Sequence, residues 1–110
     1  MKILTADIKA KLLANGKSTD KTGMKPVLKM FNPVGAGTWL FTELDEDQDT
    51  LFGLCDLGMG YPELGYASLK ELTSIKLRFG LKLERDMHFK ATMSLDEYAE
   101  KAAEKGRIVA

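Results

Sequence analysis

Two runs of strand-forming residues, Thr38-Trp39-Leu40-Phe41-Thr42-Glu43-Leu44 and Leu51-Phe52-Gly53-Leu54-Cys55-Asp56-Leu57, flank the acidic stretch Asp45-Glu46-Asp47-Gln48-Asp49. Aromatic and β-branched residues favour extended backbone, and a short polar connection between two such runs reads as the solvated tip of an antiparallel hairpin. Pairing Leu44 with Leu51 puts Phe41 opposite Leu54, Glu43 opposite Phe52 and Trp39 opposite Asp56 on one side. Leu40, Leu44, Leu51, Cys55 and Leu57 then share the other side. Both faces are largely apolar, so the hairpin must be central and covered from both sides. Whatever else the chain folds into has to supply those two covers.

The flanking segments offer them. Ile8, Leu12 and Leu13 have helical spacing between a Thr5 or Asp7 cap and Asn15-Gly16, which suits a left-handed stop. Residues 17–25 read as a polar loop. Val27 to Phe31 form a short strand, and Asn32 to Gly37 a turn. The glycine-punctuated loop Gly58-Met59-Gly60-Tyr61-Pro62-Glu63-Leu64-Gly65 leads to a short extended piece around Tyr66 and Ala67. Ser68 with Glu71 matches a capping box opening a helix to about Lys76. After Gly80, Leu81, Leu83, Arg85, Met87 and Phe89 alternate with Lys82, Glu84, Asp86, His88 and Lys90, the period of a half-buried strand. Ser94 and Glu97 repeat the capping box ahead of Leu95, Tyr98, Ala99 and Ala102, and Gly106 stops that helix. The expectation is one α+β domain over residues 1–110, an antiparallel or mixed sheet of about four or five strands packed with about three helices.

A chain of 110 residues can bury roughly 65% of the surface its unfolded form exposes. Sixteen basic residues balance sixteen acidic ones, so no global field draws the protein to phosphate or to anionic lipid. That balance demotes nucleic acid as a partner without removing it, since a local patch of either sign is compatible with neutrality. Cys55 is the single cysteine, so no intrachain disulfide can form. No membrane-length apolar run is present, Asp7 and Lys9 interrupt the N-terminal stretch, and a cytoplasmic location is expected.

No catalytic set is complete. Gly16-Lys17-Ser18 has Lys11 where a phosphate loop needs its leading glycine, and Glu63 breaks the dinucleotide pattern begun by Gly58 and Gly60. His88 is the single histidine, Ser68 and Ser94 serve better as helix caps, and Cys55 sits on an apolar strand where a thiol is inert. Neither a cofactor nor a zinc site is expected. An oxygen-rich metal site from Glu43, Asp56, Glu63 and Asp86, with His88 as ligand or base, is the hydrolase or nuclease alternative. A third reading lines Lys17, Lys21, Lys25 and Lys29 along a nucleic-acid surface, against which Gly23 and Pro26 argue.

The runs around Thr38–Leu44, Phe52–Gly58, Pro62–Tyr66 and Leu83–Phe89 resemble those of bacterial domain-of-unknown-function family 2958, over nearly the whole chain. The resemblance implies a small free-standing protein encoded on plasmids, phages or integrative elements near transfer and antirestriction genes, with no established activity. The function expected is therefore that of a non-enzymatic accessory protein binding a protein partner. Tyr61, Glu63 and Tyr66, beside glycines that let a backbone approach closely, are the first binding candidates, followed by Glu84, Asp86 and His88 on the expected strand face. Oligomeric state is open at this level.

Overall fold

In a computed structural model describing residues 2–110, the hairpin is central, as its two apolar faces require. The order is α1 (Ala6–Lys17), β1 (Leu28–Phe31), β2 (Thr38–Leu44), β3 (Thr50–Asp56), β4 (Glu63–Ser68), α2 (Leu69–Ser74), a single 3-10 turn, β5 (Glu84–Arg85) and α3 (Leu95–Lys105). The five strands form one antiparallel sheet in the order β4-β3-β2-β1-β5.

The register of β2 on β3 departs from simple alternation. Leu44 pairs with Leu51 and Glu43 with Phe52, but Phe41 then faces Gly53, Leu40 faces Leu54 and Trp39 faces Cys55. Thr42 is thus the extra residue of a β-bulge, which rotates everything before it by one position. In consequence Trp39 and Phe41 turn to the same side as Leu44 and Leu51, where they meet Leu12 of α1 and Leu72 of α2. Leu40 and Leu54 point the other way, onto Leu95, Tyr98 and Ala102 of α3 and onto Ile108.

Close backbone approach explains two glycines. A Cβ on Gly53 would sit 1.9 Å from the Leu40 carbonyl oxygen, inside the bulge. A Cβ on Gly16 would sit 2.5 Å from the Leu44 carbonyl oxygen, where α1 lies against β2. Gly16 does not stop α1, which runs on to Lys17 and ends at Ser18 in extended backbone. Asn15 completes this contact by donating from Nδ2 to the Thr42 carbonyl at 2.9 Å. The caps follow the sequence: Thr5 accepts from Ile8 N, Ser68 from Glu71 N, and Ser94 with Glu97 closes a reciprocal box before Gly106 ends α3 at φ 73°.

The stretch 81–90 corrects the sequence reading. Alternation there suggests a strand of full length, yet β5 is two residues long, pairing Glu84 with Phe31 and Arg85 with Met30. Leu83 is buried as expected, whereas Met87 is 64% exposed. Asp86 ends the pairing: its Oδ1 accepts from His88 N at 2.9 Å and its carbonyl from Phe89 N at 3.3 Å, bending the chain into a turn.

Gly16→Ala provides a test of the α1 contact. Helix propensity alone would give a gain of about 1 kcal/mol, but the clash with Leu44 should reverse the sign. Gly53→Ala should cost roughly 2 kcal/mol or more, read as a lower urea midpoint at unchanged slope.

Candidate functional site

The loop joining β3 to β4 is shaped by backbone that glycine permits. Gly58 and Gly60 lie at φ 83° and 86°, and a Cβ on Gly58 would come 2.4 Å from the Ala36 Cβ. Asp56, buried at the end of β3, holds the loop by accepting from Gly58 N at 2.8 Å through Oδ1. Its Oδ2 accepts from Ile108 N at 3.0 Å, fastening the C-terminal segment to the same point. With the backbone turned inward, the intervening side chains project outward.

Those side chains are large and apolar. Leu57, Met59 and Tyr61 are 61%, 70% and 80% exposed, and Leu64 and Tyr66 of β4 are 44% and 74% exposed. Ile75, just past α2, borders the same end of the sheet. Between α2 and this loop runs a groove of about 630 Å³, floored by Trp39, Cys55 and Leu72, with Glu63 and Glu71 at its rim. The Tyr66 ring is stacked obliquely on Phe52, with centroids 5.0 Å apart. Five of the nine large apolar side chains exposed among the described residues, Leu57, Met59, Tyr61, Tyr66 and Ile75, thus line one groove, the others being Leu64, Phe79, Leu81 and Met87. Contiguous apolar surface of this kind characterises contact sites, whereas scattered exposure carries no such meaning.

Tyr61, Glu63 and Tyr66 all line this groove. Glu84, Asp86 and His88 do not join them, because β5 is at the opposite edge of the sheet from β4 with three strands between. Nor do these three share a strand face, since Asp86 and His88 are in the turn that follows β5. Leu57 and Met59 escape a strand-based reading, which assigns Leu57 to a buried face. The pattern Leu57-Gly58-Met59-Gly60-Tyr61, apolar residues spaced by glycine, is the signal that could have revealed them.

The acids do not converge. Glu43 accepts from Lys21 at 3.0 Å, Asp86 lies 3.5 Å from Lys29, Asp56 holds the two backbone N–H groups described, and Glu63 is exposed on β4. Asp49 secures the start of α2, accepting from Ser68 Oγ and Lys70 N, both at 2.8 Å. No group of three potential metal ligands comes together among the described residues. The lysine row also dissolves: Lys17 ends α1, Lys21 turns to Glu43, and Lys29 lies in β1.

Comparison with known proteins places the chain. A family model described as a protein of unknown function (DUF2958) matches residues 3–109. The chain belongs to this family. No curated protein and no solved structure matches it. No helix among the described residues is long and apolar enough to cross a membrane.

Two titrations test the electrostatics. At the hairpin tip, the Thr50 hydroxyl, aided by the N–H groups of Thr50 and Asp49, holds the Asp47 carboxyl below its ordinary range. A depressed folded value stabilises above the unfolded pKa of ~3.9 and is lost as pH falls through the folded one. The stability gap between wild type and Asp47→Ala should accordingly close in acid and stay constant near neutrality. Burial pushes the Cys55 thiol up, so alkylation at neutral pH should run roughly tenfold or more slower than for a free thiol.

Proposed function

We propose that this protein is a non-enzymatic interaction module that binds a protein partner through the apolar end of its β3–β4 hairpin. The observation carrying this reading is the gathering of Leu57, Met59, Tyr61, Tyr66 and Ile75 around one groove. Aromatic and methionine side chains in an apolar centre with a charged rim are the composition of protein contact sites. The positive-φ glycines support the same idea, since they hold Met59 and Tyr61 outward on a fixed backbone and lower the ordering cost of association. A bacterial accessory protein of a plasmid or other mobile element, acting in the cytoplasm by stoichiometric contact, fits such a surface.

The test compares immobilised wild type with the Met59→Lys/Tyr61→Lys double variant in capture from bacterial lysate. A partner retained by wild type should bind the variant roughly tenfold or more weakly, with the circular dichroism of both proteins alike. Identical capture by both proteins would remove the surface from consideration.

A further inference from the structure

β4 is a terminal strand of the sheet, hydrogen-bonded to β3 on one side and without a strand on the other. The phase of the ladder is set where Leu69 N donates to the Asp49 carbonyl at 2.8 Å. Antiparallel neighbours alternate between pairs that exchange hydrogen bonds and pairs that do not. Glu63, Gly65 and Ala67 therefore bond to β3, and the N–H and C=O of Leu64 and Tyr66 are directed away from the sheet. A row of alternating donors and acceptors is satisfied by another extended strand. Edges are ordinarily defended by lysine, proline, a bulge or extreme shortness. The other edge, β5, is two residues long; β4 is six, Glu-Leu-Gly-Tyr-Ala-Ser, with none of these defences within it.

We propose that the strand completing this edge is β4 of a second copy, antiparallel about a two-fold axis at Gly65; this rests on the reading of the hairpin end as a contact surface. The register is self-complementary. Leu64 of each copy exchanges both backbone hydrogen bonds with Tyr66 of the other, so that every outward group finds a partner. Their side chains lie on one face, continuing the Phe52–Tyr66 contact across the junction as an aromatic–aliphatic cross-strand pair. On the axis the two Gly65 residues meet as a non-hydrogen-bonded pair with Cα atoms about 4.5 Å apart, and no atom crowds the Cβ position of either within its own chain. Glu63 meets Ala67, so no like charges are opposed. The result is one continuous sheet through both molecules.

Sedimentation of the purified full chain tests this. Wild type should have twice the chain mass, and Leu64→Lys and, separately, Tyr66→Pro should each have the single-chain mass with unchanged far-ultraviolet circular dichroism. Proline at 66 removes an outward N–H and leaves the bonds to β3 untouched. In a Cys55→Ala background, Gly65→Cys should form an intermolecular disulfide on mild oxidation, since the spacing at the axis lies within disulfide range, whereas Ala36→Cys should not. A wild type that stays monomeric, a dimer that survives both edge variants, or a dimer without the Gly65→Cys cross-link would overturn the proposal. If the dimer fails while capture still depends on Met59 and Tyr61, the interaction module stands and self-pairing falls. Loss of both removes both.

Discussion

One extra residue in β2 decides how this small core is filled. Without the bulge at Thr42, strict alternation would put Trp39 and Phe41 on the side away from Leu44, leaving the α1 face with Leu40, Leu44 and Leu51 and the largest side chains on the α3 face. With it, Trp39, Phe41, Leu44 and Leu51 turn to one side, and the smaller Leu40 and Leu54 are left for the helix with Leu95, Tyr98 and Ala102. The bulge demands Gly53 opposite, because the backbone passes too close to the Leu40 carbonyl for any side chain. It is also where α1 attaches, through Asn15 to the Thr42 carbonyl and Gly16 against Leu44. Sheet twist, division of the core and helix docking thus depend on a single irregularity.

Much of this was legible in the chain. Apolar residues on both faces of the central hairpin required two layers of cover, and the Ser94–Glu97 box and Gly106 bounded α3 because caps are local chemistry. The bulge was not legible, since alternation carries no mark of an inserted residue. Gly16 misled for a related reason: the same residue serves as a helix stop or as a gap for a neighbouring strand, and the choice belongs to tertiary contact. At 81–90 the period-two pattern was real but found little to pair with, as β1 is four residues long and the Asp86 carboxylate captures the His88 N–H locally. Tyr61 and Tyr66 were singled out from their glycine neighbours, whereas the exposure of Leu64 became visible only once β4 proved to be an edge.

The carboxylates at the turns illustrate how a neutral, small domain uses its charge. Asp47, Asp49, Asp56 and Asp86 each accept from backbone N–H groups where the chain changes direction. Such short-range bonds fix the ends of strands that are too brief to hold themselves by pairing alone. The outward projection of Met59 and Tyr61 follows from one of them, because Asp56 draws the loop in at Gly58 and the C-terminal segment in at Ile108.

The unequal edges of the sheet have a consequence for assembly. At β5 the ladder is two residues long and Arg85 donates to the carbonyls of Lys2 and Ile3, so that side offers little length to a further strand. A sheet with two open sides can grow without limit, each added molecule offering a fresh side to the next. Here the two sides are unequal, six residues at β4 against two at β5, so strand addition at β4 would leave only the short side exposed and favour a closed complex over a fibre.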